Sequence, residues 1–107
     1  MLANISLPGI RAFEAVARRG SFRAASAELN LSASAVSHAV IKLERAMGVV
    51  LFEREGRAIR LTISGEMFMR HVGTAFDELR RGLEAVAPRS PQLLRLHCAP
   101  SFAAAWL

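Results

Sequence analysis

The chain of 107 residues is long enough for one small hydrophobic core and an appended segment. Its 14 Lys and Arg outnumber its 9 Asp and Glu, and the net charge of +5 favours a polyanionic partner without naming one. The single cysteine, Cys98, excludes an internal disulfide, and we see neither a signal-peptide pattern nor an apolar run of ~18 residues, so we expect a cytoplasmic protein without a membrane partner.

The first predicted helix ends at Gly20, which suits the left-handed conformation that closes many helices. Pro8 suits its first turn, where a missing N–H costs no hydrogen bond. Apolar residues at helical spacing fall on one face of this helix: Leu7, Ile10, Phe13 and Ala17.

Two further helices are predicted around a tight turn at Asn30, and Ser21 and Ser32 are placed to cap their N-termini. Leu31 is predicted to point back into the core, and Gly48 to close the third helix. The buried stripes at helical spacing are Phe22, Ala25 and Leu29, and then Val36, Val40, Leu43 and Met47.

A hairpin is predicted next, because two short alternating runs flank the turn at Gly56. Its inward residues are Phe52, Ile59 and Leu61, and its outward arginines are Arg54, Arg57 and Arg60.

A long helix is then predicted from about Ile63 to Val86, capped by Thr62 or Ser64. At 1.5 Å per residue it extends about 36 Å, which exceeds a small core. Its seam at heptad-like spacing therefore predicts pairing with a second copy through Val72, Phe76, Leu79, Leu83 and Val86, a stripe that begins at Phe68.

The remaining chain is predicted to be a hinge at residues 88–92, followed at residues 93–107 by the start of a truncated second domain. Residues 93–98 have the pattern of a strand, and a strand without neighbours is not a domain. Ser101 is placed to cap another helix.

Two segments, GSFRAASAELNLSASAVSHAVIKLE and GVVLFEREGRAIRLTISGE, closely resemble the N-terminal domain of LysR-type transcriptional regulators, and the similarity spans Leu7 to Val86. The last residues, PSFAAAWL, look like the start of the effector domain in the glycine-cleavage-activator branch. The resemblance implies a mainly α fold: a winged helix-turn-helix of three helices and a two-stranded wing at residues 1–62, then a dimerisation linker helix at residues 63–87.

Function is implied by the resemblance too: sequence-specific binding of double-stranded DNA in bacterial transcription regulation, with the third helix in the major groove and Arg57 in the minor groove. The candidate DNA-binding residues are Ser21, Arg23, Ser32, Ala33, Ser34, Ser37, His38, Lys42, Arg54 and Arg57. The family commonly has Gln in place of Ala33 and Ala39 and Arg in place of His38, so the strongest bidentate readers of bases are absent here.

For the full-length protein the resemblance implies a homodimer, pairing of dimers into tetramers, a small-molecule effector that Ser101 would contact, and contact with RNA polymerase. The fragment itself is expected to hold no cofactor and no metal.

Three other interpretations stay open at this point. A winged helix of the molybdate-responsive type has a similar start, and a helical interaction module without a nucleic-acid role would share the helices. An enzyme is the third, but adjacent residues on a helix, such as Ser37 and His38, point about 100° apart and do not face each other. The chain has no metal-spaced Cys/His set and no phosphate-binding loop, so we expect no catalysis.

Overall fold

The computed structural model describes residues 4–88 of the chain. It contains four helices and one hairpin: α1 (Leu7–Arg19), α2 (Phe22–Leu29), α3 (Ala33–Met47), β1 (Phe52–Glu55), β2 (Ala58–Leu61) and α4 (Ile63–Val86). The predicted winged helix-turn-helix followed by a long helix is therefore confirmed. The predicted strand at residues 93–98, Ser101 and almost all of the hinge lie outside the described residues.

Hydroxyl caps begin the helices, as the sequence predicts. The Oγ atoms of Ser21 and Ser32 accept the N–H groups of Ala24 and Ala35 at 3.1 and 3.0 Å. Between the two alternatives for α4, the cap is Thr62, whose Oγ1 accepts the N–H of Gly65 at 3.0 Å.

One cap was not predicted from the sequence. The Oγ of Ser6 accepts the N–H of Gly9 at 3.1 Å and begins α1. It stands directly before Leu7 and Pro8, so a cap followed by proline in the first turn was the signal available in the sequence.

Helix ends also follow the prediction. Gly20 and Gly48 close α1 and α3 with φ of 73° and 77°, and Asn30 closes α2 with φ of 60°. Asn30 adopts this left-handed conformation because its short side chain tolerates it better than a branched one would. The tight turn between α2 and α3 depends on this residue.

The core lies among α1, α2 and α3, and the hairpin and the start of α4 close it. Phe13 is fully buried, and its ring lies 5.4 Å from that of Phe52 in β1 and 5.1 Å from that of Phe68 in α4. Other buried hydrophobic residues are Ala12, Ala15, Val16, Ala25, Leu29, Val36, Val40, Leu43, Leu51 and Val72.

Two leucines are exposed, and one of them, Leu31, departs from the prediction. Leu7, the first residue of α1, is 54% exposed. Leu31 is 38% exposed, while its backbone N–H donates to the Ser26 carbonyl at 3.0 Å to close α2. In this turn Leu29, rather than Leu31, supplies the core contact.

The wing is held to both neighbouring helices. Its strands pair in antiparallel register, with Phe52 opposite Leu61 and Glu55 opposite Ala58. Before it, the carboxylate of Glu44 at the end of α3 accepts the Leu51 N–H at 2.7 Å. After it, the Thr62 N–H donates to the Leu51 carbonyl at 2.9 Å.

The described residues fall into two separate compact units, residues 4–73 and residues 74–88, and the division lies within α4. The first part of α4 belongs to the winged unit, in which Val72 is 5% exposed. Within residues 4–88, no helix has the length and apolar character needed to cross a membrane.

Replacing Gly65 with alanine is expected to lower the free energy of unfolding by about 1–3 kcal/mol. An added Cβ would overlap the Leu51 carbonyl oxygen and lie 2.9 Å from Leu61 Cδ2. Gly73 in the same helix is the matched control, because a Cβ there meets nothing within 4 Å. Alanine at Gly73 is expected to stabilise by up to about 1 kcal/mol through helix propensity. Urea unfolding measures both, and equal effects at the two positions would contradict the close approach.

Candidate nucleic-acid interface

One face of α3 is free of contacts with the core. The core stripe of this helix is Val36, Val40 and Leu43, and the opposite side carries exposed Ser34 and His38 and half-buried Ser37. Within residues 4–88, the two hydroxyls and the imidazole have no hydrogen-bond partner. The free face therefore offers three polar groups to an external ligand.

The N-terminus of α3 adds backbone donors to this face. Ser32 Oγ accepts the Ala35 N–H, and the Ser32 carbonyl accepts the Val36 N–H at 3.1 Å. The N–H groups of Ala33 and Ser34 have no acceptor in the described part of the chain. These donors lie at the positive end of the helix dipole, and both side chains are exposed.

The start of α2 lies beside the same face. Phe22 lines a cleft of about 160 Å³ together with Ser37 and Ile41 of α3 and Arg54 of β1. Ser21, directly before Phe22, is half-buried and uses its oxygen to cap α2. The structure thus brings α2, α3 and the wing together around one cleft.

Two of the three wing arginines are free. Arg54 on β1 and Arg57 in the turn are exposed and have no ion pair with any residue of the described range. Gly56, at the tip before Arg57, has φ of 63°. Arg60 is different: it binds Glu53 across the strands at 3.1 Å and Glu55 at 3.2 Å.

Unpaired positive charge lies on the three elements that line the cleft. Five exposed basic side chains of α2, α3 and the wing make no ion pair within residues 4–88: Arg23, Lys42, Arg45, Arg54 and Arg57. Arg11 of α1 also lacks an ion pair, but its Nη1 is buried. The free charges face outward on the elements that surround the free face of α3.

Other arginines are neutralised by neighbouring carboxylates. Arg18 binds both Glu14 and Glu28, Arg19 binds Glu28 at 2.8 Å, and Arg80 binds Asp77 at 2.8 Å. Hydrogen bonds from Arg18, and more weakly from Arg19, lower the pKa of the Glu28 carboxyl against the opposing effect of burial. These ion pairs reduce the attraction of α1 and of the second half of α4 for a polyanion.

Arg45 is a candidate that the sequence analysis missed. It is exposed, without an ion pair within residues 4–88, and lies one and two turns beyond Lys42 and His38 on α3. The spacing of Ser34, His38, Lys42 and Arg45 by three or four residues was the available signal.

The predicted seam of α4 has two parts. Val72 is already buried within the chain and Phe76 is half-buried, whereas Leu79 and Leu83 are 46% and 48% exposed and Val86 is 81% exposed. The exposed part of the seam, Leu79, Leu83 and Val86, continues the same stripe at spacings of four and three residues. Within residues 4–88, no group of three His, Cys, Asp or Glu side chains is placed to hold a metal ion.

The sequence is similar to those of transcription regulators over almost its whole length. It is 60% identical over 104 residues to the HTH-type transcriptional regulator y4mQ of Sinorhizobium fredii, which is 97% of this chain and 35% of that protein. It is 49% identical over 107 residues to the HTH-type transcriptional regulator PerR of Escherichia coli, which is 100% of this chain and 36% of PerR. The chain therefore spans about one third of the length of these relatives, and both are named as regulators rather than enzymes.

Solved structures share the fold. The BenM_DBD/benA site 1 DNA complex superposes with a TM-score of 0.70 at 25% identity, over 76% of this chain and 91% of that chain. The CbnR_DBD–DNA complex gives 0.67 at 30% identity, over 76% and 93%. Residues 7–66 match the family described as bacterial regulatory helix-turn-helix protein, LysR family, so the molybdate-responsive alternative is set aside. The chain belongs to the LysR family of bacterial regulatory helix-turn-helix proteins.

Proposed function

We propose that this chain is the sequence-specific DNA-binding and dimerisation part of a transcription regulator. The observation that carries the proposal is the free face of α3, with unpaired hydroxyls and backbone donors at its start and unpaired cations on its flanks. A helix of this kind fits the major groove, where its N-terminal residues read base edges. Two related domains were solved as complexes with DNA, which supports DNA binding by this chain.

The residues of this interface would form two sets, one that reads base edges and one that binds the phosphate backbone. Ser34, Ser37 and His38 would read base edges, and the methyl of Ala33 would contact thymine. The basic groups would bind phosphates and hold the register: Arg23, Lys42, Arg45 and Arg54, together with the cap regions of Ser21 and Ser32. Side chains that lack bidentate geometry leave part of the specificity to DNA shape.

The wing tip would enter the adjacent minor groove. Arg57 follows Gly56 at the end of the hairpin and is exposed and unpaired within the described range. A narrow A·T-rich minor groove has an enhanced negative potential that attracts such an arginine.

Two copies would pair through the exposed part of the α4 seam. Leucines and a valine on one stripe remain exposed in the single chain, and burying them against a second copy removes apolar surface from water. The full-length protein would respond to a small-molecule effector bound beyond the described residues, with tetramers and contact with RNA polymerase as further expectations. A DNA partner places its action in the cytoplasm.

Selection of bound duplexes from a random pool tests the proposal with the full-length regulator. The wild type is expected to select inverted half-sites about one helical turn apart, or a multiple of it, with A·T-rich flanks. Arg57→Ala is expected to keep the half-sites and lose the flank preference, because it removes only the minor-groove charge.

Arg60→Ala is the matched control, since it removes the same charge from the same hairpin at an arginine that Glu53 and Glu55 already neutralise. It is expected to retain the flank preference. Equal flank preferences in all three proteins would refute the role of Arg57. No binding to any duplex at low salt would reject DNA binding and support a helical interaction module.

A further inference from the structure

Ile41 is an apolar residue on a polar face. It is 43% exposed and lies one turn beyond Ser37 and two turns beyond Ser34 on the free face of α3. A single exposed isoleucine on a protein surface needs no explanation. This one lies among the proposed base readers, and it lines the cleft with Ser37 and Arg54.

The chemistry of the major groove suits such a side chain. Among the groups that base pairs present there, the 5-methyl of thymine is the apolar one, and the others are hydrogen-bond donors and acceptors. An isoleucine buries such a methyl against its own branched end. Its χ1 angle is restricted in a helix, so little side-chain freedom is lost on contact.

The position along the helix agrees with this contact. Four residues of α3 rise about 6 Å, and successive bases on one strand are about 3.4 Å apart. If Ser37 faces one base pair, Ile41 lies within reach of a neighbouring pair or the one after it. Arg54, across the cleft, would then hold the phosphate backbone beside that pair.

We propose that Ile41 determines specificity by contacting the 5-methyl group of one thymine in each half-site. The inference rests on the proposed docking of α3 in the major groove. It adds an apolar contact to the polar contacts of Ser34, Ser37 and His38, none of which has bidentate geometry.

The test removes one methyl at a time from the DNA. In the half-site that the full-length regulator selects, each thymine is replaced singly by deoxyuridine, and the Kd is measured for the wild type and for Ile41→Ala. The wild type is expected to lose about 3- to 5-fold at one thymine, the value of burying one methyl group. Ile41→Ala is expected to lose nothing further at that thymine, while its response at every other position is unchanged.

Val49→Ala is the matched control, because Val49 is 37% exposed and lies after the end of α3, outside the cleft. It should reproduce the wild-type pattern. Ile41→Val, which keeps the branched shape, should retain most of the discrimination even if the alanine variant folds poorly. Thermal unfolding of each variant separates lost packing against the wing from lost contact with DNA.

An equal deoxyuridine penalty in the wild type and in Ile41→Ala and Ile41→Val overturns the inference, as does a selected half-site without an A·T pair. The docking of α3 fails by a different result, an intact footprint for the Ser37→Glu variant. The two failures are therefore distinguishable: the contact between Ile41 and thymine can be refuted while the docking of α3 in the major groove still holds.

Discussion

The Ser37→Glu variant is expected to lose specific DNA binding by at least about 100-fold. Ser37 lies on the free face of α3, where it is half-buried and lines the cleft beside the wing. Its hydroxyl has no hydrogen-bond partner within residues 4–88. A carboxylate at this position would face the hydrogen-bond acceptors of the bases and the phosphates of the DNA. Like charges placed this close together weaken binding by several kcal/mol. Footprinting on the selected site measures the loss.

Two controls separate the causes of that loss. Ser37→Gln has the same size as the glutamate variant but no charge, so a milder loss is expected from its bulk alone. Ala46→Glu adds the same charge to an exposed position in the last turn of α3, about 13 Å from Ser37 along the helix, and a smaller decrease is expected. A normal footprint for folded Ser37→Glu would refute the placement of this face in the groove.

The double variant Leu79→Asp and Leu83→Asp is expected to be monomeric at concentrations where the wild type is a dimer. Both leucines belong to the exposed part of the α4 seam, and each is about half exposed in the single chain. A carboxylate buried in an apolar interface without a partner loses its hydration. Truncating one buried leucine lowers stability by about 2–5 kcal/mol. The dimer of this variant has four substituted leucines, so its dissociation constant should rise more than about 1000-fold.

Sedimentation velocity over a range of concentrations measures this change. The control is Ser64→Asp with Ala85→Asp, which adds the same charges to exposed positions of α4 off the seam. That variant should sediment as the wild type does. A dimer that persists in the Leu79→Asp and Leu83→Asp variant would rule out the seam as the interface.

DNA affinity gives a second measure of the same variant. A regulator that binds inverted half-sites as a dimer gains from engaging both at once, since the second contact becomes intramolecular. The monomeric variant is therefore expected to protect single half-sites only, at higher protein concentration. Retention of full protection by a monomer would separate DNA binding from the proposed pairing.

Local patterns in the sequence were sufficient for the elements and their ends. The hydroxyls of Ser21 and Ser32, the left-handed Asn30 and the turn at Gly56 act within a few residues of themselves, so their effect is readable from the chain. The heptad-like spacing after Phe68 likewise predicted a helix that ends at Val86, where α4 ends.

Spatial relations between elements needed the tertiary structure. A 3.6-residue period identifies an apolar face but not how far a neighbouring element reaches along it. Leu7 shares a face with buried Phe13 and yet is 54% exposed, and Leu31 was wrongly expected to point into the core. The seam of α4 reads as one stripe in sequence, but the structure buries Val72 within the chain and leaves Leu79 and Leu83 exposed.

The candidate site divides in the same way. The sequence by itself determined the family, the position of the helix that carries the proposed readers of base edges, and the excess of positive charge. Only the tertiary structure decided which charges are free, because an arginine is neutralised by whatever carboxylate the fold brings near it. The strand register pairs Arg60 with Glu53, and the packing of α1 against α2 pairs Arg18 with Glu28. Arg57 has no carboxylate partner within residues 4–88.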